Sequence, residues 1–150
     1  MKLFSSPLII LFCLVINYQA AVTFNRGHET DDPTAIKQLV SDALEYNGWV
    51  NEPDYQERLG SMYSGALLTK ILTSVKQFRS VCTDWSTLTF VSNCHIVYQD
   101  GSSALVLALF YDQNPDGTTE DRSAALLKLS NTSAGWRITA MNMFLVPGKE

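Results

Sequence analysis

The spacing of apolar residues changes once along this chain, from a helical period to a strand period. Between residues 33 and 80 apolar positions recur every three or four residues in three segments, which predicts three amphipathic helices. From Asp84 onward the period becomes two, which predicts β-strands. Turn sequences at residues 99–102, 114–117 and 131–135 divide this region into four strands. Helices followed by strands indicate an α+β fold, with the helices covering one face of an antiparallel sheet.

Local signals set the predicted boundaries. Asp32 and Pro33 open the first helix, because a carboxylate caps free N–H groups and proline tolerates the first helical position, and Gly48 closes it. The second and third helices are predicted at residues 53–63 and 66–78. The strands are predicted at residues 84–98, 104–111, 122–129 and 136–144. The second strand is apolar on both faces, which predicts a central position in the sheet.

The first 20 residues have the pattern of a secretory signal peptide. Lys2 precedes an apolar run over residues 8–16, and the small residues Ala20 and Ala21 follow. The run is shorter than the roughly 20 apolar residues that a membrane helix needs. We therefore predict cleavage near residue 20 and a secreted protein, with an uncleaved N-terminal anchor as the alternative. Residues 21–31 form a lead-in segment, and residues 32–150 form one domain.

The charge of the chain limits its partners. It has 11 Lys and Arg residues against 15 Asp and Glu residues, a net charge of -4. Loss of Lys2 with the signal peptide would make this about -5. Nucleic acids and anionic membranes need basic patches, so neither is expected as a partner. No cofactor is expected, because the sequence has no glycine-rich phosphate loop and no metal-ligand spacing.

Cysteine and asparagine residues suggest two covalent modifications. Without Cys13, which leaves with the signal peptide, Cys82 and Cys94 form an even pair in an oxidising compartment. We predict a disulfide between them, with two free buried thiols as the alternative. Asn131 begins the sequon Asn-Thr-Ser in a predicted turn, and it is the candidate glycosylation site.

The order and spacing of these elements resemble the nuclear-transport-factor-2-like superfamily, which includes SnoaL-like cyclases and ketosteroid isomerases. The resemblance covers about residues 32–146. The residues that carry it are Tyr46, Asn47, Gly48, Trp49, Asp54, Leu59, Met62 and Tyr63, and the final-strand run Gly135, Trp136, Arg137 and Ile138. It implies a cone-shaped roll, with helices packed on a curved antiparallel sheet of four or more strands. The competing cystatin fold is disfavoured, because its Gln-x-Val-x-Gly loop is missing and three helices precede the sheet.

Two functions agree with this resemblance. The first is a non-catalytic domain that binds a small apolar or amphipathic molecule in its cone, or simply associates with itself. The alternative is an acid–base enzyme of the isomerase, dehydratase or cyclase type, with His95 in the pocket and with Tyr63 and Asp84 as partners. A carboxylate pair of the isomerase type is not visible, since Asp100, Asp112 and Asp116 fall at turns. The sequence leaves catalysis undecided and favours binding.

Aromatic residues supply the candidate binding surface. A pocket would need apolar walls with a few polar groups, although the same residues would also suit a packed core. The candidates are Tyr46, Trp49, Tyr55, Tyr63, Phe78, Phe90 and Phe110. The second strand needs apolar cover on both faces, so we also predict a homodimer that buries the outer face of the sheet.

Overall fold

The computed structural model describes residues 32–81 and 87–146. Three helices come first: α1 (Pro33–Leu44), α2 (Tyr55–Met62) and α3 (Gly65–Ser80), with a short 3-10 helix (Trp49–Asn51) between α1 and α2. Four strands follow: β1 (Leu88–Gln99), β2 (Ser103–Gln113), β3 (Thr119–Thr132) and β4 (Gly135–Leu145). The α+β class is therefore confirmed.

The four strands form one antiparallel sheet in the order β1-β2-β3-β4. β2 lies between β1 and β3, as its apolar residues on both faces predicted. The strands are longer than predicted by up to three residues at an end. β1 begins at Leu88, and its predicted start at residue 84 lies outside the described residues. The helices also differ by a few residues, since α1 ends at Leu44, before Gly48, and α3 continues to Ser80.

The start of α1 follows the predicted local rule. The Asp32 carboxylate accepts a hydrogen bond of 2.8 Å from the Thr34 N–H, and Pro33 is the first helical residue. The end of α1 does not depend on Gly48. Glu45 is already extended, whereas Gly48 has a φ of 88° and precedes the 3-10 helix. A positive φ favours glycine, so Gly48 sets the entry into the 3-10 helix rather than the end of α1.

The core lies between the helices and one face of the sheet, which we call the inner face. Ile36 and Val40 of α1 and Leu59 of α2 are fully buried against it. The buried sheet residues in this core are Ala104, Val106, Ala108, Phe110, Ala125, Leu127, Leu129 and Ile138. No residue of α3 is fully buried, although its apolar side chains pack against the core.

The opposite, outer face of the sheet has no cover among the described residues. Leu105, Leu107 and Leu109 of β2 alternate with the buried inner residues, and they are half-buried or exposed. Leu126 of β3 lies beside Leu107 on this face. No helix in the described part of the chain is long and apolar enough to cross a lipid bilayer.

Candidate functional site

An apolar cleft lies where the end of α1, the 3-10 helix, α3 and β1 meet. Its volume is about 360 Å³. We call it the aromatic cleft; its described lining residues are Tyr46, Trp49, Val50, Ser74, Val75, Phe78 and Thr89. Known small-molecule sites begin at about 300 Å³ and have mostly apolar walls with a few polar groups, so the aromatic cleft meets both conditions.

Backbone pairing holds one wall of the aromatic cleft. Tyr46 and Thr89 form an isolated antiparallel bridge, with N–H to carbonyl distances of 3.2 and 3.0 Å. The rings of Tyr46 and Trp49 meet edge to face, with their centroids 6.0 Å apart. The bridge ties Tyr46 to β1, and the ring contact packs Tyr46 against Trp49 of the 3-10 helix.

An arginine ties the opposite wall to the 3-10 helix. Arg79, at the end of α3, donates hydrogen bonds to the carbonyl oxygens of Val50 (3.2 Å) and Glu52 (3.1 Å). Its guanidinium also lies over the Tyr55 ring, 4.4 Å from the centroid. Val50 lines one side of the aromatic cleft, and Phe78, next to Arg79 on α3, lines the other. The Arg79 hydrogen bonds therefore connect the two sides of the cleft.

The polar groups in the aromatic cleft are neutral. The Thr89 hydroxyl donates a hydrogen bond of 2.6 Å to an Asp112 carboxylate oxygen. Partial burial raises the pKa of Tyr46, so its phenol stays protonated at neutral pH. No charged side chain belongs to the described lining. An ionised ligand would therefore lose water without gaining a counter-charge, which is unfavourable.

Three of the seven predicted aromatic residues, Tyr46, Trp49 and Phe78, line this cleft together. The other four lie elsewhere. Tyr55 stacks under Arg79, whereas Phe90 stacks on Tyr111 on the outer face with centroids 5.7 Å apart. Tyr63 and Phe110 are buried in the core. The aromatic residues thus divide between a cleft, a packed core and the sheet surface.

Aromatic content identified only part of the cleft. It missed Val50, Ser74, Val75 and Thr89 as lining residues. The inward spacing of Val75 along α3 was the one sequence signal that placed it near this region.

The predicted catalytic residues do not form a group among the described residues. His95 is exposed on the outer face, opposite Leu107 of β2. Tyr63 is only 4% exposed on the helix side, and its hydroxyl donates a 2.8 Å hydrogen bond to the Ala43 carbonyl. Burial raises the pKa of Tyr63 to about 12. Asp84 lies outside the described residues.

The predicted disulfide is not seen. Cys94 is a half-buried free thiol on the inner face of β1, and Cys82 lies outside the described residues. Burial raises the pKa of the Cys94 thiol, although the Lys37 charge opposes this shift. The Cys82–Cys94 bond therefore stays a prediction.

Two other cavities have more polar linings than the aromatic cleft. One, of about 480 Å³, lies between α1 and β1, with Lys37, Ser41 and Cys94 in its lining. The other, of about 380 Å³, lies near the start of β3, beside Arg122 and Val146. No group of three or more His, Cys, Asp or Glu residues suited to a metal ion exists in the described ranges.

The candidate glycosylation site is exposed. Asn131, Thr132 and Ser133 lie at the β3–β4 turn, and all three side chains are accessible. The Asn131 amide nitrogen donates a 3.2 Å hydrogen bond to the Gly101 carbonyl. An N-linked glycan leaves one amide hydrogen in place, so this contact is compatible with modification.

Comparisons with known proteins do not identify a family. No protein-family model matches the sequence. No curated protein matches it either. Among solved structures, a de novo designed β-sheet protein determined by solution NMR has a TM-score of 0.38, with 17% identity over 92% of each chain. A likeness at that TM-score carries no argument about fold or function.

Proposed function

We propose that this protein is a secreted, non-catalytic domain that binds a small, neutral, apolar molecule in the aromatic cleft. The observation that carries this proposal is the cleft itself, with its apolar walls, its two supported sides and no charged side chain among its described lining residues. A ligand there would exchange water for contacts with Tyr46, Trp49, Val75 and Phe78, so burial of apolar surface would drive binding.

The element order supports a nuclear-transport-factor-2-like roll as the scaffold. Three helices precede a four-stranded antiparallel sheet, and the short bridges Tyr46–Thr89 and Tyr63–Ile138 join the helical region to the sheet edges. In a cone-shaped roll the aromatic cleft would lie between the helices and the curved sheet. The N-terminal signal pattern supports secretion.

Paired dyes test the ligand class. N-phenyl-1-naphthylamine is neutral, whereas 1-anilinonaphthalene-8-sulfonate has the same ring system with an anionic group. We expect the neutral dye to bind at micromolar concentration with increased fluorescence, and the anionic dye to bind at least about tenfold more weakly, because the described lining contains no cationic side chain. Equal binding of both dyes would contradict a neutral site.

Two neighbouring variants test the location. Ser74 lines the aromatic cleft, whereas Thr73 is an equally exposed residue of α3 that does not line it. We expect Ser74→Trp to weaken binding of the neutral dye by at least about tenfold, because the indole competes for the space, and Thr73→Trp to leave it unchanged. The same response from both variants would place the dye elsewhere.

Self-association is a second candidate function, which the outer face favours. Leu105, Leu107, Leu109 and Leu126 lie side by side there without cover among the described residues. A second copy would bury them, since large exposed apolar patches mark association surfaces. Light scattering after size exclusion should show a dimer at micromolar concentration, and a monomer would contradict this candidate.

The acid–base enzyme has less support. His95 and Tyr63 lie on opposite sides of the sheet, and the Tyr63 hydroxyl already donates to a backbone carbonyl. A general base must come within hydrogen-bond reach of the proton that it removes, and neither side chain belongs to the described lining of the three cavities.

A further inference from the structure

The exposed apolar residues concentrate at the end of β4. Eight large apolar side chains of the described residues are exposed, and four of them are consecutive: Met143, Phe144, Leu145 and Val146. Met143 is 57% exposed and Leu145 is 73% exposed. Both belong to the inner face by register, opposite Ala125 and Ser123, so the helices leave this corner of the sheet uncovered.

Among the described residues, the backbone at this end of β4 also has no partner along the edge that faces away from β3. The Val146 N–H donates a 2.9 Å hydrogen bond to the Arg122 carbonyl, so Val146 points toward β3. Backbone direction alternates along an antiparallel strand, so Met141, Met143 and Leu145 point away from β3. β4 is the last strand of the sheet, and no described strand lies beyond it.

Three other positions on the sheet edges already have partners. On β4, the Ile138 carbonyl accepts a 3.0 Å hydrogen bond from the Ser64 N–H. On β1, Thr89 pairs with Tyr46, and the Val91 N–H donates to a Glu45 carboxylate oxygen at 3.4 Å. β1 also has two register shifts, and irregularities of this kind protect sheet edges from further pairing.

We propose that the edge of β4 from Met141 to Leu145 pairs antiparallel with the same edge of a second copy, giving a continuous eight-stranded sheet. Centring the pair on Met143 places Met143 opposite its equivalent and Met141 opposite Leu145. These three outward-facing pairs allow roughly six hydrogen bonds between the chains.

The strand is complementary to itself. Residues 138–146 contain no charged side chain, so two copies can pair here without like charges facing each other. On the inner face the pairing joins methionine and leucine side chains. On the outer face it places Asn142 beside Phe144. This interface does not depend on the aromatic cleft or on the outer leucines.

A proline substitution tests the backbone pairing in the secreted full-length protein. Met143→Pro removes an N–H that makes no bond to β3, and proline is tolerated at such edge positions. We expect the dimer dissociation constant, measured by sedimentation, to rise on the order of 30-fold, because the two copies lose one hydrogen bond each. The wild-type Met143 and Leu145 amides should exchange slowly in the dimer and quickly after dilution to monomer.

A matched pair of lysine variants separates the edge from the outer face. Met143→Lys places a charge at the edge, whereas Leu109→Lys places one on the outer face at a residue that is 37% exposed. We expect Met143→Lys to dissociate the dimer and Leu109→Lys to preserve it. If Met143→Pro does not fold, the lysine variants and the amide exchange still test whether the dimer forms through the β4 edge.

Three results would overturn the proposal. The first is a monomeric wild-type protein at micromolar concentration, including a monomer in which the Met143 and Leu145 amides are protected by another segment of the same chain. The second is a dimer that survives both Met143 variants. The third is a dimer that only Leu109→Lys dissociates, which would assign association to the outer face instead.

Discussion

The two faces of β2 are both apolar but have different surroundings. On β2 the inner residues Ala104, Val106 and Ala108 are at most 2% exposed, whereas Leu105 and Leu107 between them are half-buried. On β3, Leu127 is fully buried while its neighbour Leu126 is not. The larger side chains of β2 thus lie on the face without helices, so apolar character alone does not show which face forms the folding core.

The largest expected difference between the faces is in stability. Leu127→Ala should lower the free energy of unfolding by about 2–5 kcal/mol, because it leaves a cavity in the core. Leu126→Ala removes the same atoms from the outer face and should cost no more than about 1 kcal/mol. Urea unfolding of both variants measures this. Equal losses would mean that the outer face is as well covered as the inner face.

Protein concentration sharpens this comparison. If the outer face binds a second copy, the cost of Leu126→Ala should grow with protein concentration, since association stabilises the folded state by mass action. The cost of Leu127→Ala should not depend on concentration in that way.

A smaller effect is expected from Tyr63 at alkaline pH. Its pKa is raised to about 12, above the ordinary value of about 10 that applies to the unfolded chain. The stabilisation is therefore complete below pH 10 and is lost as the pH rises from 10 to 12, a change of about 2–3 kcal/mol. Tyr63→Phe should remove this part of the pH dependence, seen as a flatter fall in urea midpoint. An unchanged fall would contradict the burial of Tyr63.

The smallest effect is expected at His95. It is exposed on the outer face, so His95→Gln should change the free energy of unfolding by no more than about 0.5 kcal/mol. Binding of the neutral dye should also be unchanged. A large loss of dye binding would mean that His95 reaches the aromatic cleft, and it would support the acid–base enzyme hypothesis.

The candidate site was only partly predictable from the sequence. Aromatic content identified Tyr46, Trp49 and Phe78, which do lie together. It could not separate them from Phe90 and Phe110, because all five aromatic rings suit a cleft as well as a core. Their separation depends on strand register and on the contacts of the 3-10 helix, which join residues distant in sequence.

The position of His95 shows why strand faces were hard to predict. Register shifts occur in β1 between Val91 and Asn93 and between Ile96 and Tyr98. Each extra residue moves the following side chains to the other face, so simple alternation fails across it. His95 pairs with Leu107 and faces outward, away from the helices.

The sequence by itself determined the order of three helices and four strands, the start of α1 at Pro33 and the central place of β2. Helix capping and turn residues act within a few residues of the chain. The apolar spacing of an element shows which of its faces are buried. Only the tertiary structure decided which aromatic residues share a cleft, which face holds His95 and which edge of the sheet is open. Those outcomes depend on register and on contacts between distant segments, and no local pattern encodes them.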